Sequence, residues 1–298
     1  MLLLTGATGL IGSALVRRLT AAGHPVRCLV RDPRRLGPER VRVQIVLGDL
    51  ADPPSFRNAL RGVSTVVHLA ASIRDQPAGS IEELNGIATW RMAQAARRAG
   101  VEHFVFFSAQ GASTHARARL LRAKAVAERA VAEAGGPHTI VAPSLAYAPG
   151  DSFMTILERL ALLPFVPLSG RGRARFEPIW AEDVAAATMS LLERPAPARA
   201  ARFELSGPET MTHEAIVATA LRALGHQRRL VHVPAPIVRQ GLRLAETVMK
   251  SKAPATWDEA ELLEISMTSA RGTADAEALG VSPRRMADVL GAAARTAA

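Results

Sequence analysis

Short apolar runs alternate with amphipathic runs of helical period through the first half of the chain. Runs rich in Leu, Val, Ile and Phe that end at glycine or polar residues predict strands at 2–4, 25–30, 41–47, 65–69, 103–107 and 139–142. Runs in which apolar residues recur at helical spacing predict helices at 10–22, 53–61, 81–99 and 117–134. This alternation predicts an α/β fold, a doubly wound parallel sheet of the Rossmann type with helices on both faces.

The alternation becomes less regular after Pro149-Gly150. The pattern there predicts helices at 182–193 and 213–224, a strand at 202–205 and an amphipathic run over 234–252. Thr212 is the expected N-cap of the second of these helices. We therefore expect a first domain over residues 1–150 and a smaller portion over residues 151–298 that is interleaved with the end of the sheet.

The first strand leads directly into a glycine-rich turn, Thr5-Gly6-Ala7-Thr8-Gly9-Leu10-Ile11-Gly12. Gly6 allows a tight turn, Gly9 lets a pyrophosphate approach the backbone, and Gly12 lets the following helix pack closely on the sheet. The amides and the positive end of that helix would face the phosphates. Strand, turn and helix together predict a dinucleotide-binding site, for which the turn alone would be weak evidence.

Composition excludes several other functions. The net charge of the 298 residues is +10, only three of the 37 basic residues are lysines, and the arginines are scattered over the predicted helices. Aromatic residues make up 4% and do not interleave with the basic ones, so we expect no nucleic-acid partner. The single Cys28 excludes an internal disulfide, and the eight histidines have no metal-ligand spacing. With neither a transmembrane stretch nor a signal peptide in the pattern, we expect a soluble, cytoplasmic protein.

The end of the second predicted strand bears on the choice of cofactor. It reads Val30-Arg31-Asp32-Pro33-Arg34-Arg35. An acid at this place binds the ribose hydroxyls of NAD, whereas an arginine accommodates the 2′-phosphate of NADP. Arg31, assisted by Arg34 or Arg35, favours NADP, and Asp32 leaves NAD possible. A solvated basic turn is the alternative interpretation of these arginines.

These features resemble the extended and atypical short-chain dehydrogenases/reductases, in particular the NmrA-like branch that includes the NAD(P)-binding accessory subunit of respiratory complex I. The resemblance covers nearly the whole chain, and its further landmarks are Gly48-Asp49-Leu50, His68-Leu69-Ala70-Ala71, Asn85-Gly86, Phe106-Phe107-Ser108, Pro143-Ser144, Pro149-Gly150-Asp151, 179–184 and Ser206-Gly207-Pro208. It implies cofactor contacts from Thr5, Gly6, Thr8, Gly9, Leu10, Ile11, Gly12, Arg31, Asp49, Leu50, Leu69, Ala70, Ala71, Asn85, Ser108, Lys124, Pro143, Ser144 and Leu145. A structural turn is the alternative role for Asp49, helix packing for Asn85, and a plain strand end for Ser108.

The resemblance fails at one catalytic position. The family places a tyrosine four residues before a lysine, and the lysine lowers the pKa of the tyrosine and binds the ribose. Lys124 matches the lysine, but Leu120 stands where the tyrosine is expected, and Tyr147 is the chain's only tyrosine. Lys124, Ser108 and His115 are therefore the candidate catalytic residues, since histidine commonly transfers protons near neutral pH.

Two functions remain open. The first is an NADP(H)-binding oxidoreductase acting on a hydrophobic small molecule held under residues 151–298, with Phe153, Leu157, Leu160 and Phe165 lining the pocket or packing in the core. The second is a non-catalytic NAD(P)-binding sensor or assembly subunit, which the missing tyrosine favours. A sugar-nucleotide epimerase would also need the tyrosine. A homodimer or a protein partner is compatible with either function.

Overall fold

The computed structural model describes residues 1–249 and 255–297. The strands are β1 (Leu2–Thr5), β2 (Val26–Val30), β3 (Gln44–Leu47), β4 (Thr65–His68), β5 (His103–Phe107), β6 (His138–Pro143), β7 (Ala146–Tyr147), β8 (Phe165–Ser169), β9 (Arg175–Phe176), β10 (Ile179–Trp180), β11 (Ala200–Leu205), β12 (Met211–Thr212) and β13 (Arg229–Val233). The α-helices are α1 (Leu10–Ala21), α2 (Pro53–Phe56), α3 (Ala88–Arg98), α4 (Arg119–Ala134), α5 (Ser152–Leu160), α6 (Ala181–Glu193), α7 (His213–Ala223), α8 (Ala235–Met249), α9 (Trp257–Leu262), α10 (Ala274–Ala278) and α11 (Met286–Ala297).

Seven strands form one sheet in the order β11-β6-β5-β4-β1-β2-β3, and every neighbouring pair in it is parallel. The predicted doubly wound α/β fold is confirmed. The chain winds outward from β1 in one direction through β2 and β3, and in the other through β4, β5 and β6. Such a reversal of strand order opens a crevice at the carboxyl ends of the strands, here between β1 and β4.

Both faces of the sheet are buried, as expected for parallel strands covered by helices. In β1 the side chains alternate: Leu4 packs with α1 and α6, and Leu3 packs on the opposite face with α3 and α4. A third apolar cluster is formed mainly by residues of the segment 151–298 and includes Tyr147, Leu157 and Phe176. Strand β11, from beyond residue 150, completes the edge of the main sheet.

Several elements begin or end at residues other than those predicted. The strand expected from residue 41 begins at Gln44, because residues Pro33–Val41 form tight 3-10 turns that leave Val41 81% exposed. The helix expected over 53–61 divides into α2 and a 3-10 turn at Arg57–Leu60. The helix expected over 81–99 begins with a wider π-turn at Glu83–Ile87 and continues as α3.

The sequence pattern missed the parallel pair β8–β13, which contains Pro167. Each strand of a two-stranded sheet is an edge strand, so a proline can be accommodated there. The amphipathic run over 234–252 forms α8 as far as Met249, and residues 250–252 lie outside the described residues. The side chain of Thr212 caps α7 by accepting a bond from the amide of Ala215, as predicted. None of the helices in the described ranges is long and apolar enough to cross a bilayer.

Candidate dinucleotide-binding site

A cleft follows the carboxyl ends of β1, β2, β4 and β5. It has an outer half of about 300 Å³ and an inner half of about 180 Å³, which share Gly6, Gly9 and Leu69. The outer half is lined by Gly6, Ala7, Thr8, Gly9, Leu29, Val30, Arg31, Arg35, Gly48, Asp49, Leu50, Leu69, Ala70, Ala71, Ser72, Gln76 and Leu84. The inner half is lined by Gly6, Gly9, Leu10, Ile11, Gly12, Leu69, Phe107, Ser108, Lys124, Pro143 and Ala146.

The glycine turn forms the floor that both halves share. A side-chain carbon at Gly6 would lie 2.6 Å from the amide nitrogen of Ala70, and one at Gly12 would lie 2.1 Å from the carbonyl oxygen of Gly6. Helix α1 begins here without a side-chain cap and without an acidic residue in its first turn. Its first amides and its positive dipole are therefore free to bind an anion, which suits a pyrophosphate.

Cationic side chains line the end of the outer half. Arg31 and Arg35 border the cleft, and Nη1 of Arg31 donates to Oε1 of Gln76 at 2.9 Å. The carboxylate of Asp32 does not border it. It accepts bonds from the guanidinium of Arg34 at 3.0 and 3.1 Å, and these bonds lower its pKa. Arg34 is thus occupied outside the cleft, while Arg31 and Arg35 face it.

Asp49 and Asn85 both make structural contacts, and of the two only Asp49 also borders the cleft. Oδ1 of Asp49 accepts from the amide of Ala51 at 2.9 Å, which stabilises the turn after β3, and Asp49 also borders the outer half. Asn85 is completely buried in the π-turn. Its amide nitrogen donates to the carbonyl oxygens of Ser72 and Ile81 at 2.8 Å, and its oxygen accepts from the amide of Ser72 at 3.1 Å. Asn85 therefore shapes the wall of the cleft through Ser72 without reaching the cleft itself.

Lys124 is the buried cation of the inner half. Only 4% of the residue is exposed, and Nζ donates to the carbonyl oxygen of Phe107 at 2.6 Å and lies 4.8 Å from the centre of the Phe106 ring. Burial lowers its pKa to about 8, against the opposing effect of Glu128. The neighbouring His68 is buried and neutral. Its pKa falls to about 3 because of burial and the charge of Lys124.

Ser108 borders the inner half at the end of β5 and donates its hydroxyl to Oε1 of Glu128. The other carboxylate oxygen of Glu128 pairs with Nη1 of Arg202 on β11 at 2.8 Å. Glu128 lies one turn beyond Lys124 on α4. A chain of charged and polar groups thus runs from the inner half of the cleft to an arginine whose side chain is 39% exposed.

Some residues predicted for the site lie away from the cleft. Thr5 is buried beneath it, with Oγ1 2.8 Å from Nδ1 of His68. Ser144 is buried and donates to the carbonyl oxygen of Met267 at 2.7 Å, and neither Ser144 nor Leu145 is among the described residues that line the cleft. His115 is exposed in the turn before α4 and contacts Thr114.

Sequence reasoning also missed lining residues. Ala146, Ser72 and Gln76 border the cleft, but no motif singled them out. Their positions depend on how the loops after β4 and β6 fold back over the sheet, which local patterns do not encode.

The apolar residues expected in a substrate pocket divide into two groups. Leu157 is core, and Phe153 and Leu160 pack partly buried against the same cluster, so core packing describes these three. Phe165 is 46% exposed at the surface. None of the four lines either half of the cleft.

Two other cavities have comparable or larger volumes. One, of about 590 Å³, lies between the loop 169–174 and Glu264, and another, of about 510 Å³, lies between α2 and α3. Neither borders the glycine turn or Lys124. The chemistry of the lining residues therefore selects the smaller cleft. No cluster of metal-ligating side chains occurs within residues 1–249 and 255–297.

Comparison with known proteins agrees with this geometry. A family described as NAD(P)H-binding matches residues 6–156. The chain is 33% identical to the sterol demethylase protein B of Methylococcus capsulatus, over 84% of this chain and 82% of the relative. It is 30% identical to the ceramide reductase of Caulobacter vibrioides, over 78% and 73%. It is 27% identical to the mitochondrial NADH dehydrogenase [ubiquinone] 1 alpha subcomplex subunit 9 of Arabidopsis thaliana, over 90% and 68%.

A solved structure supports the fold. A nucleoside-diphosphate-sugar epimerase from Staphylococcus aureus superposes with a TM-score of 0.77 over 97% of this chain and 99% of that chain, at 19% identity. The glycine floor, the uncapped α1 and the sequence matches all indicate a nicotinamide dinucleotide as cofactor. The chain belongs to the NAD(P)H-binding family, in the group of atypical short-chain dehydrogenases/reductases that includes proteins similar to the complex I subunit.

Proposed function

We propose that this chain is an NADP(H)-dependent oxidoreductase that acts on an apolar small molecule through an active site without the usual tyrosine. The observation that carries the proposal is Lys124, a buried ammonium at the inner end of the cleft whose pKa of about 8 lies close to neutral pH. The relative named as a ceramide reductase supports both the reaction class and an apolar substrate.

The arginines of the outer half support NADP over NAD. A 2′-phosphate needs cations that face the cleft, and Arg31 and Arg35 supply two. NAD needs a free carboxylate for the ribose hydroxyls, and Asp32 is already bound by Arg34. The outer half therefore suits the phosphorylated cofactor better.

Bound cofactor supplies a hydride at the nicotinamide, and the chain has to supply or take up a proton. Leu120, one turn before Lys124 on α4, has no proton to give. Lys124 and Ser108 both border the inner half, and the ammonium is charged below about pH 8. We assign the proton donor to Lys124 and the positioning of the substrate oxygen to Ser108, whose hydroxyl is oriented by Glu128. His115 has no such support from its exposed position.

The second candidate function is a non-catalytic dinucleotide-binding subunit. Leu120 favours it, and so does the relative that is a subunit of NADH dehydrogenase. Both functions require the glycine floor and the cationic outer half, so cofactor binding alone does not separate them.

The test is a titration of the purified chain with NADPH and NADH, followed by an assay of cofactor oxidation with quinones, enones, aldehydes and long-chain ketones. We expect preferential NADPH binding and turnover with at least one apolar compound. Lys124→Met should abolish turnover and weaken cofactor binding. Tight NADPH binding without turnover across the panel would identify the non-catalytic subunit instead.

Arg31→Ala tests the choice of cofactor. Loss of a charge-assisted contact to phosphate should weaken NADPH binding about ten- to hundredfold and change NADH binding little. Arg129→Ala is the matched control, because Arg129 is exposed on α4 and lines neither half of the cleft. The assignment is wrong if wild type binds NADH as tightly as NADPH, or if both variants have the same effect.

A further inference from the structure

Four consecutive apolar residues are exposed where α5 ends and β8 begins: Leu162, Leu163, Pro164 and Phe165. Leu162 is 80% exposed, and Leu163 and Phe165 are each 46% exposed. Single exposed apolar side chains are ordinary on protein surfaces, but a contiguous apolar patch marks an interaction site. We call residues 162–165 the apolar loop.

The fold holds the apolar loop outward. Ala161 before it is completely buried, and Val166 after it is 1% exposed. The amides of Leu162 and Leu163 donate to the carbonyl oxygens of Arg159 and Leu160 at 3.3 and 3.0 Å, which closes a tight turn at the end of α5. With both ends anchored in the core, the side chains between them cannot turn inward without breaking that turn.

Three arginines lie beside the apolar loop. Nε of Arg228 donates to the carbonyl oxygen of Ala161 at 2.8 Å, and Arg229 lies directly opposite Phe165 in the β8–β13 register. Arg159 is exposed in the last turn of α5. None of the three has an ion-pair partner in the described part of the chain. Glu158 is the exposed carboxylate next to the loop along α5, and the three arginines outnumber it.

We propose that the apolar loop docks on an anionic phospholipid bilayer, with Leu162, Leu163 and Phe165 inserted below the headgroups and the arginines on the lipid phosphates. Exposed apolar side chains with cations beside them match the layering of a bilayer surface, where acyl chains lie beneath a shell of negative charge. The net charge of +10 adds long-range attraction to such a surface. Docking of this kind needs no spanning helix and does not depend on catalysis.

The test is co-sedimentation of the full chain with vesicles of phosphatidylcholine alone or with about a third phosphatidylglycerol. We expect binding to the anionic vesicles only, and loss of most of it when salt rises from about 0.1 M to about 0.5 M. Leu162→Glu combined with Leu163→Glu should weaken vesicle binding about tenfold or more, because two inserted side chains become charged. Arg228→Gln combined with Arg229→Gln should weaken it by removing phosphate contacts.

Val41→Glu is the matched control, since Val41 is 81% exposed in the connection before β3, far from the apolar loop in the chain. Its vesicle binding should fall by less than about fivefold, because one charge is worth about 1 kcal/mol only when it lies near the membrane surface. Circular dichroism and thermal unfolding, measured on every variant, report whether the fold is retained, and neither depends on whether the chain binds NADPH or turns over a substrate.

Three results would overturn the proposal. Wild type does not sediment with anionic vesicles, or the Leu162/Leu163 variant binds them as wild type does. In the third result, sedimentation velocity shows that wild type is a dimer and that the Leu162/Leu163 variant is a monomer, while the two bind vesicles equally. The loop would then be an interface between copies of the chain.

Discussion

At the scale of single residues, Lys124 has the most unusual environment in the cleft. Its ammonium is removed from water and held by one carbonyl oxygen and one aromatic face. A buried amine loses hydration energy mainly in its charged form, so burial lowers the pKa from 10.5 to about 8. A group with this pKa can release a proton near neutral pH, which an exposed lysine does rarely.

Lys124 should leave a signature in the pH dependence of stability. Its pKa is lower in the folded than in the unfolded chain, so the unfolded chain binds more protons between about pH 8 and 10.5. The destabilising contribution of the charged amine is fully present below pH 8. As pH rises from 8 to 10.5 this contribution is lost, and the free energy of unfolding increases by up to about 3 kcal/mol. Urea unfolding of wild type and Lys124→Met measures the difference.

Other groups that titrate at high pH contribute equally to wild type and to Lys124→Met, so their contribution cancels in the difference between the two proteins. Burial raises the pKa of Cys28 to about 12 and also raises that of Tyr147, and both groups act in the opposite direction at high pH in both proteins. The stability difference between wild type and Lys124→Met should therefore shift in favour of wild type from pH 8 to 10.5. A pH-independent difference would contradict the assigned burial of the charged amine.

At the scale of elements, β1, the glycine turn and α1 form the unit that creates the site. The turn can be predicted from sequence because all three of its glycines lie within eight consecutive residues, Thr5 to Gly12. The close contact of Gly12 with the carbonyl oxygen of Gly6 brings α1 against the strand end. The same contact leaves the helix amides facing the cleft.

Gly12→Ala should damage this unit. The added carbon would lie 2.1 Å from the Gly6 oxygen, so backbone must move, and we expect a loss of about 1–3 kcal/mol in stability and of most cofactor affinity. Gly241→Ala in α8 is the control, because nothing lies within 4 Å of its added carbon. Helix propensity predicts that the control stabilises the protein by about 0.5–1 kcal/mol. Thermal unfolding and NADPH titration measure both, and equal effects would contradict the packing argument.

The elements predicted well are those with strong local periodicity, such as β5, whose bounds match, and α4, which begins two residues later than expected. The pair β8–β13 was missed because its strands join residues about 60 apart and one contains a proline. The π-turn at Glu83–Ile87 depends on Asn85 bonding to Ser72 in another loop, which no local pattern reveals.

At the scale of the whole molecule, ion pairs connect α9 to the nucleotide-binding half. Arg119 pairs with Asp75, Glu82 and Asp258 at 3.0, 2.7 and 3.3 Å. The following carboxylates of α9 also meet arginines: Glu259 pairs with Arg74, and Glu261 pairs with Arg117. Arg119 joins three separate segments, and it lowers the pKa of Asp75 and of Glu82.

Arg119→Met should lower the free energy of unfolding by about 1–2 kcal/mol at pH 7, a value reduced for the partial exposure of the carboxylates. Because Asp75 and Glu82 have lowered pKa values in the fold, the stabilisation is present above their ordinary pKa and is lost as pH falls through the folded values. The effect of the substitution should thus shrink in acid. Arg129→Met, an exposed arginine on α4 without a described ion pair, is the control, and a comparable loss there would contradict the network's role.

The sequence alone determined the doubly wound fold, the glycine turn and the positions of Arg31 and Lys124, because helical and strand periodicity and turn chemistry act between near neighbours in the chain. Tertiary structure decided which of these groups reach the cleft and in what state. Asp32 is bound by Arg34, Asn85 acts through Ser72, and Phe165 lies at the surface and does not line the cleft. Burial and long-range ion pairing depend on the path of the whole chain, and for that reason the pKa of Lys124 and the exposure of the apolar loop emerge only in the folded molecule.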